Sequence, residues 1–143
     1  MERYFYSVSG IVVLLLFFLG VTVAADNLIV PGIRAGTFIL GKTTERDIAG
    51  MPKDKGLDFQ FSKTGTLDSV VVTSRDYQTD RGVRVGATEE DVLHAFGKGR
   101  VGNIDLKKGE TVIGKVGDKV LFYPGIEFVF AKQQVWAIIL VRK

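Results

Sequence analysis

Residues 82–97, GVRVGATEEDVLHAFG, carry the pattern that decides the fold: a short strand, a glycine turn and a capped helix. Valines alternate with a polar residue over 83–85, as in a half-buried strand, and Gly86 then supplies a turn. Thr88 and Asp91 have the spacing of a capping box, in which a hydroxyl and a carboxylate satisfy free amides at a helix start. Apolar residues at helical spacing and a closing glycine follow.

A weaker copy of this pattern lies upstream at residues 37–48, TFILGKTTERDI, where Thr44 and Asp47 form the matching cap. Each copy precedes a stretch that alternates like a β-hairpin, at 56–74 and at 125–142. The apolar positions of the two stretches correspond: Leu57, Phe59 and Phe61 match Ile126, Phe128 and Phe130, and Asp58 matches Glu127. Such repetition indicates two copies that pack together, each too small to bury its own apolar face.

The repeat predicts an α+β fold made of two copies of a strand-turn-helix-β-hairpin module. Two helices would pack on one face of an antiparallel sheet of about six to eight strands. The copies would span residues 26–80 and 81–143, with an inserted hairpin at 99–124 in the second. Residues 74–80 read as a polar linker between the copies.

The N-terminal 25 residues predict a signal peptide. An unbroken apolar run at 11–19 is followed by Val23, Ala24 and Ala25, small residues at the spacing that a signal peptidase needs. We therefore expect a periplasmic or secreted protein. The alternative is an uncleaved inner-membrane anchor, because residues 8–25 are about long enough to span a bilayer. Membrane contact is expected only if this segment is retained.

Composition excludes some classes of function but does not identify one. The net charge of +3 is mild and the charges are interspersed, which together with export disfavours nucleic acid as a partner. The 143 residues include no cysteine, so disulfides and cysteine-ligated metal are excluded. We expect no cofactor.

One motif matches a nucleotide-binding loop by its letters alone. Residues 36–43, GTFILGKT, satisfy G-x-x-x-x-G-K-[ST]. The four intervening residues are strand-forming, however, and the following helix must end near Gly50 and Pro52. The second copy keeps the turn but replaces Lys42 and Thr43 with Ala87 and Thr88. Nucleotide binding is therefore not predicted.

No catalytic or metal-binding set emerges from the titratable residues. His94 is the single histidine, and Glu90 shares its helix face at the i, i+4 spacing. One histidine and one carboxylate are too few for zinc, and no serine has the context of a nucleophile. The sequence predicts a protein that is not an enzyme. Tyr123 and Trp136 are the candidate partner-binding residues, because exposed aromatic residues on a sheet face are frequent binding anchors.

Residues 82–92 followed by Phe96 and Gly97 resemble the pattern G-x-x-x-G-x-[ST]-x-x-[DE]-V … [YF]-G of small exported α/β modules. These include the SmpA/OmlA-type outer-membrane assembly factors and the tandem-repeat β-lactamase inhibitor proteins. The resemblance implies a protein-binding or scaffolding module of the cell envelope with no enzyme activity. A small-ligand binder or an enzyme with a cleft between the copies is the remaining alternative, which a pocket lined by His94 and two carboxylates would support.

Overall fold

The computed structural model describes residues 27–52, 56–104 and 118–143. In chain order the described elements are β1 (Leu28–Val30), β2 (Arg34–Ala35), β3 (Phe38–Ile39), α1 (Glu45–Ile48), β4 (Leu57–Phe61), β5 (Leu67–Val72), β6 (Gln78–Thr79), α2 (Glu89–Phe96), β7 (Arg100–Asn103), β8 (Lys119–Tyr123), β9 (Ile126–Ala131) and β10 (Gln134–Val141).

The larger sheet has six antiparallel strands in the order β4-β5-β10-β9-β8-β7. Strand β5 pairs with β10 in the interior of this sheet, with Val71 opposite Ile139. These two strands are rich in β-branched residues, which fit a pleated, buried surface. The two predicted hairpins, β4–β5 and β9–β10, are therefore confirmed and are joined edge to edge through their returning strands.

The smaller sheet has four strands of two or three residues in the order β3-β2-β1-β6. Strand β6 lies in the stretch interpreted as a polar linker and pairs in parallel with β1. Thr79 of β6 is 1% exposed, and its hydroxyl accepts a hydrogen bond from the Val83 amide. The linker prediction was wrong here because a buried threonine with a local backbone partner is indistinguishable from a solvated one in the sequence.

A close backbone approach connects the two sheets. The Gly32 amide donates a 2.9 Å hydrogen bond to the Gly125 carbonyl. Gly125 has a φ of +78°, and a Cβ placed on it would lie 2.6 Å from the Gly32 nitrogen. Only glycine fits at Gly125, because both the backbone conformation and the contact exclude a side chain.

The larger sheet is apolar on both faces. Phe128, Leu121 and Ile138 are almost fully buried on the face that also receives the smaller sheet and the helices' apolar residues. The opposite face carries a second, smaller cluster made of Val71, Val120, Val129 and Ala137. Strands with both faces apolar read as near-continuous hydrophobic runs, which explains the sequence of β10.

The predicted α+β fold class is wrong, because the described residues are mostly β. They form two sheets, of four and six strands, and two helices of four and eight residues. Helix α1 buries no residue, and α2 buries only Val92. The helices are therefore short additions to a β framework, whereas the prediction had given them one whole layer. The error arose because capping signals mark where a helix starts but not how far it runs.

Residues 1–26 and 105–117 lie outside the described residues, so the predicted signal peptide and the middle of the predicted inserted hairpin at 99–124 stay predictions. Within the inserted region, β7 pairs antiparallel with β8. Among the described residues, no helix has the length and apolar character needed to span a bilayer.

Candidate functional site

Both helices begin at the predicted threonine caps. The Thr44 amide and hydroxyl each donate a 2.8 Å hydrogen bond to Asp47 Oδ2. The Thr88 amide and hydroxyl donate to Asp91 Oδ2 at 2.8 and 2.9 Å, and the Asp91 amide returns a 3.2 Å bond to Thr88 Oγ1. In both aspartates, the bonds from the threonine amide and then from its hydroxyl lower the carboxyl pKa. The predicted caps are confirmed, and the second is the more complete.

Each cap is held against its own hairpin by the same pair of backbone contacts. The Gly41 amide donates to the Leu67 carbonyl at 2.6 Å, and the Leu67 amide donates to the Thr43 carbonyl at 2.8 Å. In the later copy, the Gly86 amide donates to the Val135 carbonyl at 2.7 Å, and the Val135 amide donates to Ala87 at 2.8 Å. We refer to residues 37–72 as the first unit and residues 82–141 as the second unit.

The shared contacts align the helices residue by residue from their caps. Eight positions beyond Thr88, the second unit has Phe96 at the last position of α2. Eight positions beyond Thr44, the first unit has Pro52, and α1 has already ended at Ile48. Proline cannot continue a helix because it lacks an amide hydrogen and its ring clashes with the preceding turn. The first unit therefore has no equivalent of Phe96.

In the second unit, Phe96 covers the hairpin. Its ring centroid lies 5.1 Å from that of Phe128 and 5.3 Å from that of Tyr123. The Tyr123 hydroxyl donates a 2.8 Å hydrogen bond to the Gly97 carbonyl at the helix end. Burial, and then the charge of Glu89, raise the pKa of the Tyr123 phenol. Together these rings close the space between α2 and β9.

In the first unit, the same space is open. An apolar cleft of about 660 Å³ lies between α1 and β4. Its apolar walls include Phe38, Ile48, Met51, Pro52, Phe59 and Phe61. The Phe38 and Phe59 rings pack 4.7 Å apart, while Met51 is 45% exposed at the rim. The volume falls within the range of ligand-binding pockets, roughly 300–1,000 Å³.

The cleft reaches the edge of the larger sheet. Strand β4 lies at one edge of the sheet, and within the described residues its one strand partner is β5. Successive side chains of a strand point to opposite faces, yet Asp58 lines the cleft together with Leu57 and Phe59. The cleft therefore extends along the edge of β4 at Asp58. We call this combination of the apolar cleft and the β4 edge the edge cleft.

The two predicted partner-binding residues lie elsewhere and apart from each other. Tyr123 packs inside the second unit, where its ring blocks any side chain at Gly99: a Cβ there would lie 2.7 Å from the ring. Trp136 lies on the opposite sheet face, against the smaller apolar cluster. Its Nε1 is buried and has no hydrogen-bond partner among the described residues. The structure brings neither residue to the edge cleft, and their role as partner anchors stays a prediction.

The structure places the nucleotide-motif residues in a turn whose amides are already used. Gly41 donates to Leu67 as described, and the amides of Lys42 and Thr43 donate to the Ile39 carbonyl at 3.2 and 2.9 Å. A phosphate-binding loop needs these amides free to point at the phosphate. Helix α1 also has only four residues. The occupied amides and the short helix both argue against nucleotide binding, as the sequence context of the motif does.

His94 lines a second, polar cleft of about 800 Å³ beside α2, and Glu90 and Asp91 line the same cleft. All three side chains are exposed. Among the described residues, no group of three metal-ligating side chains is close enough to hold a metal ion. The structure therefore brings His94 and two carboxylates to one cleft, which lies beside α2 and not between the two copies, and the small-ligand alternative stays a prediction.

Sequence reasoning missed the edge cleft because Phe38, Phe59 and Phe61 read as core residues. Their alternation indicates burial and does not show whether anything covers them. One signal was present: the repeat places Pro52 where the second copy has Phe96. Protein interiors are close-packed, so a ring that is missing at an aligned position indicates an unfilled space.

The fold is a mostly β arrangement of two sheets, with an open cleft beside an edge strand. The crystal structure of YjgB, a DUF4309 family protein from Bacillus subtilis, is similar to this chain with a TM-score of 0.51 and 16% sequence identity. The similarity covers 76% of this chain and 84% of that protein, and at this identity it shows the fold alone. No protein-family model matches the sequence, and no curated protein matches it significantly. The match does not bear on the SmpA/OmlA-type or inhibitor-type resemblance.

Proposed function

We propose that this chain is an exported, non-enzymatic module that binds an extended, apolar segment of a protein partner in the edge cleft. The observation that carries the proposal is the coincidence of an open strand edge and an apolar cleft along β4. An unpaired edge strand offers a row of backbone donors and acceptors, and a peptide can add to it as a further strand.

The side chains of the cleft define what such a segment looks like. Phe38, Phe59 and Met51 form an apolar wall, so every second residue of the bound strand would be apolar and would enter the cleft. Glu45 and Asp58 line the same cleft, and Asp58 is exposed. These two carboxylates favour a partner with a basic residue beside its apolar positions.

The experiment selects peptides from a random peptide library displayed on phage against the immobilised full chain. Selected peptides should alternate apolar residues, and Met51→Glu should weaken their binding at least about tenfold because it places a charge at the apolar rim. Leu93→Glu is the matched control, since Leu93 is an exposed apolar residue of the other helix, α2, outside the edge cleft. It should leave binding within about twofold, a fraction of the 1.4 kcal/mol that a tenfold change represents.

A second arm distinguishes strand addition from binding through side chains alone. Methylating alternate backbone amides of a selected peptide removes the donors that a strand needs. One of the two alternating sets should abolish binding, while the other has little effect. Equal binding of both methylated sets, or equal loss with Met51→Glu and Leu93→Glu, would contradict the proposal.

The polar cleft at His94 favours a second candidate function, the binding of a small ligand. It is lined by His94 and two carboxylates and is separate from the edge cleft, with which it shares no lining residue.

A further inference from the structure

Three arginines line the polar cleft beside α2. Arg75 follows β5, while Arg81 and Arg84 lie in the turn that leads to the second helix cap. The Arg75 guanidinium lies over Gly86, where a Cβ on the glycine would be 3.6 Å from Nε and 3.7 Å from Cζ. The glycine turn that opens the second unit therefore gives Arg75 a flat backbone surface to rest on.

Two of the three guanidinium groups are held in place by neutral partners. Arg81 Nη1 donates a 3.2 Å hydrogen bond to the Ala95 carbonyl, and its Cζ lies 4.8 Å from the centre of the Phe96 ring. Arg84 Nη2 donates to Gln78 Oε1. A guanidinium has five N–H donors, so each group keeps donors for a ligand while its position is fixed. A neutral acceptor orients the side chain without cancelling its charge.

The carboxylates of the cleft do not neutralise these arginines. The ion pair found in the described part of the chain joins Lys119 to Glu89, which is not a lining residue of this cleft. Asp91 Oδ2 accepts two hydrogen bonds from Thr88, so that oxygen is committed to the helix cap. Three guanidinium groups against two carboxylates leave the cleft with an excess positive charge.

We propose that this cleft binds a small polar molecule through an oxyanion group, a carboxylate or a phosphate, held by Arg75 and Arg84. The planar fork of arginine matches both groups with paired hydrogen bonds. The cleft volume of about 800 Å³ exceeds what one oxyanion fills, so the cleft has room for a larger ligand that carries this group. His94, Glu90 and Gln134 line the rest of the cleft and offer hydrogen bonds to hydroxyl or amide groups of its body.

The test follows arginine side-chain NMR signals of the full chain during three titrations at low salt. The probes are inorganic phosphate, citrate, and vesicles of phosphatidylglycerol. Phosphate or citrate should shift the Arg75 and Arg84 signals with saturation, and a response to vesicles alone would mean that a membrane surface is the ligand, which contradicts the proposal. The double variant Arg75→Gln, Arg84→Gln should weaken binding about tenfold or more.

The control is the double variant Arg46→Gln, Arg100→Gln, which removes the same charge outside the cleft. Both arginines are exposed, Arg46 on α1 and Arg100 over the Phe122 ring. Binding to the control should stay within about twofold, because a general attraction between exposed charges is weak and screened. An equal loss in both double variants, or the lack of a saturable shift with either small anion, would overturn the proposal. Circular dichroism of each variant excludes unfolding as the cause of any loss.

Discussion

The first and second units begin alike and end differently. In each, a glycine turn hydrogen-bonds to the returning hairpin strand, and a threonine and an aspartate cap a helix. After the cap, α1 runs for four residues without a buried side chain, while α2 runs for eight and buries Val92. Phe96 then covers Phe128 in the second unit, whereas Pro52 stands at the aligned position of the first and a cleft remains.

The comparison separates the start of a helix from its length. A cap requires a hydroxyl, a carboxylate and a turn, all of which are local. Extending a helix requires a sequence without helix-breaking residues and an apolar helix face that packs against the rest of the protein. The second unit meets this requirement and has a closed interior; the first does not, and its unfilled space lies beside an edge strand. The same start therefore leads to a structural unit in one case and to a candidate binding site in the other.

The largest expected difference concerns the two aligned phenylalanines of the hairpins. Phe128→Ala should lower the free energy of unfolding by about 3–5 kcal/mol, because the ring is fully buried and leaves a cavity. Phe59→Ala should cost about 1–2 kcal/mol, because its ring is half-buried beside an open cleft. Urea unfolding of both variants measures the difference. Equal losses would mean that the first unit is packed as tightly as the second.

The helix caps provide a smaller difference. Thr88→Ala should cost about 1 kcal/mol, since it removes a hydroxyl that both donates and accepts a bond at the start of a two-turn helix. Thr44→Ala should cost less, because α1 buries nothing that its unfolding would expose. Thermal unfolding of the two variants compares the costs. A larger cost for Thr44→Ala would contradict this order.

The same caps give a pH dependence with a definite sign. Hydrogen bonds lower the pKa of Asp47 and Asp91 in the folded state, so both stabilise the fold above the ordinary aspartate pKa of about 3.9. That contribution is lost as the pH falls through the lowered values. NMR titration of the two carboxyl groups should find both pKa values depressed, and Thr88→Ala should return Asp91 toward the ordinary value.

The smallest effect is expected on the outer sheet face, where Glu127 aligns with Asp58. Burial raises the pKa of Glu127, and the charge of Arg100 partly offsets this. Because its charged form is disfavoured in the folded state, Glu127 costs stability at neutral pH, and the cost fades as the pH falls from the raised pKa to below the ordinary value. Glu127→Gln should therefore raise stability at pH 7 by less than about 1 kcal/mol.

Asp58→Asn is the control for this variant, because Asp58 is exposed on the edge strand β4. It should leave the melting temperature unchanged. Glu127→Gln should also flatten the difference in stability between pH 7 and a pH below the ordinary glutamate pKa of 4.5. A loss of stability with Glu127→Gln at neutral pH would show that the carboxylate gains more from Arg100 than it loses by burial.

Several features were predictable because they rest on neighbouring residues. The caps at Thr44 and Thr88 follow from a three-residue spacing, and both hairpins follow from alternation around a turn. The parallel pairing of β6 with β1 was missed because those strands are two or three residues long and carry no periodic signal. The fold class was missed because the sequence analysis treated two short helices as a complete structural layer.

The sequence by itself determined where each helix begins, which strands form hairpins, and that one pattern occurs twice. These features depend on hydrogen bonds and alternation within a few residues, so local chemistry is sufficient. Only the tertiary structure decided that β5 joins β10, that Arg75 comes to rest over Gly86, and that the space beside β4 stays open. Each of these depends on residues far apart in the chain, and on whether a ring such as Phe96 is there to fill the gap between a helix and a sheet.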